Sequence, residues 1–232
     1  MKSKPFIVAL VGMISVLVAS SCIKSTSKTA EESAREKSRV TLRQRAQKAK
    51  EKGETRLESH GIVFNRAEFI SLDNALNSFY LLEVELITKK SVLHDDSVRT
   101  WYKFRVLDTL SRAKNSYNYP LSEAPPELLP LQADEILVAE SGGTVTVDGV
   151  EVSWGEPGQP GLRAYDERQK YLLFLLVDPA SKIGTTDLGS TGVLVVSDDG
   201  TFTPFDDKRV HAYNAFRTHS INGVKEDLKH RR

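Results

Sequence analysis

The feature that most constrains the fold is a series of short segments in which apolar and polar residues alternate. Residues 79–88, "FYLLEVELIT", place Glu83 and Glu85 on one side of an extended chain and Val84 on the other. Residues 99–110, "RTWYKFRVLDTL", repeat the alternation after the polar sequence "HDDS". Two alternating segments joined by a polar turn predict a β-hairpin.

Later segments extend this pattern. Asp148 and Gly149 separate "TVTV" from "VEVSW", which is typical of a two-residue hairpin turn with positive φ at both positions. Residues 170–178, "KYLLFLLVD", are almost all apolar and predict a strand buried on both faces. Asp199 and Gly200 predict a further hairpin between "GVLVVSD" and "TFTPF". We therefore predict a mainly β fold, either a small antiparallel OB-like β-barrel or a sandwich.

Composition limits the classes of function. The chain has 232 residues, of which 40% are hydrophobic and 27% charged, as in soluble folded proteins. Its formal net charge of +1 gives no general attraction to nucleic acid, so we expect no nucleic-acid partner. A single cysteine leaves no disulfide within the chain, so stability must come from core burial.

The amino terminus has the layout of an export signal. Lys2 and Lys4 precede the apolar residues 6–19. The last of these, Ala19, together with Ser20 and Ser21 forms a group of small residues before Cys22. The apolar run is shorter than the ~20 residues that a transmembrane helix needs. We predict that residues 1–21 are a signal peptide.

The lone cysteine, Cys22, follows three small residues, and this sequence resembles the lipobox of bacterial lipoproteins. The resemblance covers residues 1–22 and implies a diacylglycerol on the Cys22 sulfur, cleavage before Cys22 and acylation of the new amino terminus. The sequence departs from the lipobox at Ala19, where leucine is commonest. An ordinary cleaved signal with an incidental cysteine is the alternative. In lipoproteins of the enteric type, an aspartate after the lipidated cysteine tends to retain the protein at the inner membrane. This chain has Ile23 there, so the resemblance implies the periplasmic face of the outer membrane if the envelope is Gram-negative.

Residues 23–59 form a charged segment with eleven Lys or Arg residues and six Glu residues. Together with Cys22 they predict a helical tether over 22–59. Its few apolar residues, Val40, Leu42, Ala46 and Ala49, form a stripe that we expect to be too thin to bury. The tether is either a solvated spacer or a basic segment that lies along anionic lipid headgroups.

The predicted β domain spans residues 60–215, with an irregular proline-rich insertion at 111–132. Residues 216–232 predict a weak carboxyl-terminal helix that frays because it is polar.

The order "SLDNAL", "YLLEVEL", "YKFRVLDTL", "GGTVTVDGV", "YDERQKYLLFL" and "GVLVVSDDGTF" resembles a loose group of exported bacterial β domains. It is more distantly similar to netrin/metalloprotease-inhibitor-like barrels of the five-stranded OB type. The resemblance covers about residues 70–205 and implies binding of proteins or ligands, with no residue roles. The insertion after Leu110 and the missing cysteines depart from that pattern.

The sequence contains no G-x-S-x-G, P-loop or H-E-x-x-H motif. We therefore expect no catalytic residues, no metal and no cofactor. The alternatives are an envelope hydrolase that uses loop residues, or a protease-inhibitor-like module. The loop residues that a hydrolase could use are two histidines and two pairs of carboxylates: His94, His211, Asp198, Asp199, Asp206 and Asp207. His94, Asp95 and Asp96 form either a divalent-cation site or, as we expect, a solvated turn.

Two tryptophans are the candidate ligand-binding residues. Trp101 and Tyr102 are neighbours on a predicted strand and must face opposite sides, so we expect one of them to point outward. An exposed Trp101 beside Trp154 would form a patch for a protein or glycan partner. A partly buried edge tryptophan is the alternative. The sequence thus predicts a lipid-anchored envelope protein that binds a protein, a glycan or a small ligand.

Overall fold

The computed structural model describes residues 40–60, 69–94, 96–114, 124–155, 165–186, 188, 192–207 and 210–230. The chain divides into two compact units, residues 1–44 and 45–232. In the first unit, Thr41 and Gln44 form a reciprocal capping box: each backbone N–H donates to the side-chain oxygen of the other residue.

Four helices have described bounds: α1 (Leu42–Glu51), α2 (Leu72–Ser78), α3 (His211–Ala215) and α4 (Ile221–Lys229). The strands are β1 (Arg56–His60), β2 (Tyr80–His94), β3 (Ser97–Ser111), β4 (Glu135–Ser141), β5 (Gly143–Val147), β6 (Val150–Gly155), β7 (Lys170–Asp178), β8 (Ile183–Thr185), β9 (Val193–Val196) and β10 (Phe202–Pro204). A 3-10 turn spans Pro126–Leu128. None of the helices in the described ranges is long and apolar enough to cross a membrane.

The strands form two sheets. Seven of them are ordered β10-β9-β7-β2-β3-β4-β8, and the other three are ordered β1-β6-β5. Strand β8 pairs in parallel with β4 and antiparallel with β7, so the pairing runs from β7 through β2, β3, β4 and β8 back to β7. The ten described strands do not make one closed barrel, since β1, β5 and β6 pair separately. The mainly β prediction is confirmed.

Local sequence signals account for the hairpins. Asp148 and Gly149 have φ values of 52° and 89° and join β5 to β6, as predicted. Strands β2 and β3 form the long predicted hairpin, and β7 covers the whole apolar run with β2 and β9 on either side. Ser71 begins α2, where its side chain accepts a hydrogen bond from the Asn74 N–H.

One face of the seven-stranded sheet holds an aromatic core. The Tyr165 ring packs edge-on against Tyr102 at 4.6 Å and Tyr171 at 5.0 Å between ring centroids, and it stacks on Phe205 at 5.2 Å. Aliphatic side chains of β2, β4 and β7 complete the cluster. Alternate residues of four strands thus meet on one side of the sheet.

The opposite face is covered by two different kinds of structure. Helices α2, α3 and α4 contribute to an apolar cluster with Leu172 and Phe174 of β7 and with Phe202 of β10. Over β3, β4 and β8, Ala124 and Leu128 of the proline-rich insertion cover the sheet instead. The sheet is therefore buried on both sides.

These contacts correct one predicted boundary and two predictions about packing. Residues 56–59, assigned to the tether, lie in β1 and pair with β6, so the folded part begins before residue 60. Ala46 and Ala49 are buried, so the stripe on α1 is not too thin to pack. Helix α4 was predicted to fray, but its Ile221 and Val224 side chains pack in the apolar cluster.

Candidate functional site

Both candidate tryptophans are buried. Trp101 has no exposed surface and packs against Leu128, Leu137 and Ile183. Trp154, on β6, is also buried. Neither ring forms an exposed patch, and the expectation that Trp101 or Tyr102 points outward is wrong.

The prediction that Trp101 or Tyr102 points outward is wrong for a simple physical reason. Neighbouring residues of a strand do point to opposite faces, but both faces of β3 are covered. Tyr102 enters the aromatic core, and Trp101 lies beneath the insertion residues Ala124 and Leu128. An insertion expected to be irregular surface loop therefore provides part of the core.

The candidate site is formed by two adjoining grooves on either side of Lys225, a residue of α4. The first has a volume of about 250 Å³ and runs toward the turn between β9 and β10. The second, of about 320 Å³, runs along the end of β3. Asn222 and Lys225 line both grooves. We call these two grooves the α4 groove.

Helix geometry places Lys225 in this position. Ile221, Val224 and Leu228 follow a spacing of three, then four residues and bury one face of α4. Ser220 begins the helix, since its Oγ accepts a hydrogen bond from the Gly223 N–H. Lys225, next to Val224, therefore lies at the border between the packed face and solvent.

Lys225 is held there by acidic residues of two strands. Its Nζ lies 2.8 Å from Asp108 Oδ2 on β3 and 3.9 Å from Glu83 Oε2 on β2. The hydrogen bond to Asp108 raises the pKa of Lys225, and the negative charges of Asp108 and Glu83 act in the same direction. The ammonium group therefore stays charged and fixed in the middle of the α4 groove.

The far end of the first groove is a rigid turn. Asp199 Oδ1 accepts hydrogen bonds from the Thr201 N–H at 2.9 Å and from the Thr201 hydroxyl at 2.7 Å. These bonds lower the pKa of Asp199. Lys170, Asp198 and Gly200 also line this end, so the groove presents carboxylates and ammonium groups to solvent.

A second polar cluster lies at one end of the aromatic core. Glu140, half-buried on β4, accepts hydrogen bonds from the Tyr165 hydroxyl at 2.9 Å and from the Thr186 hydroxyl. Burial raises the pKa of Tyr165 and of Tyr102, and the Glu140 charge adds to the effect. Both phenols therefore remain protonated, and Tyr165 stays a donor to Glu140. This arrangement satisfies a carboxylate at the edge of an apolar core.

The two loop histidines and the Asp198–Asp199 pair lie on different elements of the described part of the chain. His94 ends β2, His211 begins α3, and Asp198 and Asp199 lie in the turn after β9. No group of three His, Cys, Asp or Glu residues that could hold a metal ion occurs among the described residues. Asp95 and Cys22, including its predicted lipidation, lie outside the described residues.

The α4 groove was missed at the sequence level because its charges come from β2, β3 and α4. The spacing of Ile221, Val224 and Leu228 could have indicated a packed helix with Lys225 at its border. Glu140 had a clearer signal: on β4 it continues the face of the buried Ile136 and Val138, where a charge needs a partner.

Comparison of the chain with protein-family models, with curated proteins and with solved structures gives no match.

Proposed function

We propose that this chain is a lipid-anchored protein of the bacterial cell envelope whose β domain binds an envelope protein or glycan without catalysing a reaction. The observation that carries the binding role is the α4 groove. It is open, it has a fixed ammonium group at its centre, and hydrogen-bonding groups line both of its ends.

The chemistry of the groove favours a polymeric, polar partner. Sites for small molecules are mostly apolar and enclose the ligand, whereas protein interfaces have polar rims rich in hydrogen bonds. Asn222 supplies an exposed amide, and Lys225 together with Asp108 supplies both charges. A partner with alternating charges or hydroxyl groups would form hydrogen bonds along the length of the groove.

The anchoring role is supported by the sequence alone. Residues 1–21 have the layout of an export signal, and Cys22 follows three small residues. Acylation would also explain a lone thiol in an oxidising compartment, where a free cysteine invites stray disulfides.

The anchor is tested first by the intact mass of the protein extracted from host membranes. We expect the mass of residues 22–232 plus acyl chains, and we expect Cys22→Ser to abolish the added mass and, in high salt, membrane retention. A free thiol on a chain cleaved elsewhere would refute the anchor and leave a soluble exported protein.

The groove is tested separately by photo-cross-linking in intact cells. A photoreactive residue at Asn222 should give one discrete adduct with an envelope component, and Lys225→Glu in the same chain should weaken it. The control places the photoreactive residue at Thr146, which is exposed on β5 of the other sheet. Equal adducts from both positions, or an adduct that Lys225→Glu leaves unchanged, would argue against the groove.

A further inference from the structure

We propose that the exposed basic side chains of α1 and of the turn after it, namely Arg45, Lys48 and Lys50 on the helix and Lys52 in the turn, form a binding surface for an anionic lipid bilayer. We call this set the basic face. The proposal rests on the proposed membrane anchoring, and it adds a second contact between the folded unit and the lipid.

The apolar residues of α1 are buried inside the protein. Ala46 has no exposed surface and Ala49 is 4% exposed, and Gly53, with φ of 77°, ends the turn that follows. Amphipathic helices that insert into bilayers need an apolar face left free for the acyl region. This helix has none to offer along residues 45–52, so contact with a membrane would be electrostatic and peripheral.

The charge of this segment is strongly positive. Residues 45–56 contain five Lys or Arg residues and two Glu residues, a net charge of +3. Arg56 is paired with Glu151 at 2.7 Å, whereas Lys48, Lys50 and Lys52 are exposed to solvent. Each Lys or Arg close to an anionic leaflet adds to the attraction between the protein and the lipid.

The remainder of the chain has the opposite sign. Residues 23–59 carry a net charge of +5 from eleven bases and six acids, and residues 60–232 carry −6 from nineteen bases and twenty-five acids. An anionic surface attracts the first group and repels the second. Residues 23–59 are therefore the part of the mature chain that an anionic surface attracts.

The lipid anchor and the basic face would act together, because the anchor would keep the basic face within the short range of the attraction. Electrostatic attraction to a surface fades beyond about 8 Å at physiological ionic strength, so it is strongest for a protein that is held close to that surface. Acyl chains on Cys22 would hold the folded unit near the bilayer, and the pairing of acyl chains with a basic patch is a recognised route to stable anchoring.

The test measures lipid binding without the acyl chains. The processed chain, residues 22–232 with Cys22→Ser, is mixed with vesicles of phosphatidylcholine alone or with 30% phosphatidylglycerol and then sedimented. The variant is Lys48→Gln/Lys50→Gln/Lys52→Gln. The matched control, Arg112→Gln/Lys114→Gln/Arg217→Gln, removes the same charge from exposed residues elsewhere. Circular dichroism verifies that each variant is folded.

We expect binding to the anionic vesicles only, and we expect high salt to abolish it. The basic-face variant should lower the partition coefficient by about a hundredfold, while the control should change it much less. Equal binding to neutral vesicles, no binding to anionic vesicles, or equal losses in both variants would overturn the proposal. Because the chain lacks acyl groups here, failure would leave the mass test of Cys22 unaffected.

Discussion

Helices α1 and α4 both read as polar in the sequence, and both bury one side, but they are held by different side chains. Helix α4 places Ile221 and Val224 in the apolar cluster over the seven-stranded sheet, whereas α1 buries one leucine, Leu42, and two alanines, Ala46 and Ala49. A fully buried Ile or Val contributes about 1.5–3 kcal/mol, and an alanine methyl group contributes much less. Alanine instead allows close approach of the helix backbone.

The lysines of the two helices also differ in whether they have a partner within the described part of the protein. On α4, Lys225 is fixed by Asp108 at the centre of a groove. On α1, Lys48 and Lys50 are exposed to solvent. Helix α4 therefore carries a lysine that is held by a neighbouring strand, whereas α1 displays the charges of its lysines to solvent.

The largest expected effect tests the packing of α4. Ile221→Ala should lower the free energy of unfolding by about 2–4 kcal/mol, because it removes a buried side chain and leaves a cavity. Urea denaturation followed by circular dichroism measures the change. Asn222→Ala, at the exposed neighbouring position, is the control and should stay within about 0.5 kcal/mol. If Ile221→Ala matched this control, α4 would be no more firmly packed than a surface helix.

A second substitution tests whether α1 packs closely through alanine. Ala46 has no exposed surface, so Ala46→Leu should destabilise the protein by about 1–3 kcal/mol through overpacking. The control is Gln47→Leu on the solvent side of the same helix, which adds a comparable side chain without a clash. Stabilisation by Ala46→Leu would mean that α1 lies over a void.

The sequence predicted those parts of the fold whose signals are local. Alternation located β2 and β3, the apolar run located β7, and Asp148 with Gly149 located the turn between β5 and β6. Each signal needs only neighbouring residues. These predictions were therefore independent of which other parts of the chain pack against the predicted strands and turn.

The errors concern contacts between distant segments. Burial of Trp101 depends on Ala124 and Leu128, which lie in a segment that carries no periodic pattern. The α4 groove unites Glu83, Asp108 and Lys225, separated by up to 142 positions, and no short motif links them. Neither feature could be read from one stretch of sequence.

The third prediction concerns the charge held by α4. Lys225→Gln should lower the free energy of unfolding by about 0.5–1 kcal/mol at neutral pH, a small value because the pair is partly exposed to solvent. The pKa of Lys225 is raised in the folded state, mainly by its hydrogen bond to Asp108. Its contribution is therefore complete below the ordinary lysine pKa of about 10.4 and is lost as the pH rises through the folded value.

Urea denaturation of both proteins at pH 7, 9 and 11 measures this effect. The difference between the native chain and Lys225→Gln should be constant from pH 7 to 9 and should shrink at pH 11. The double variant with Asp108→Asn provides the coupling energy of the pair. A difference that grows with pH would assign the stabilisation to something other than the ammonium group.

The smallest expected effect belongs to the charges of α1. Lys48→Gln should change the free energy of unfolding by less than about 0.5 kcal/mol, because glutamine is as good a helix former and the side chain is exposed. The same urea titration at neutral pH measures it beside Lys225→Gln. Added salt should weaken the Lys225 contribution, because it screens a partly exposed ion pair, and should leave Lys48→Gln unchanged. A loss at Lys48 as large as that at Lys225 would show that the charges of α1 stabilise the fold, and the contrast between a structural and a displayed set of lysines would then fail.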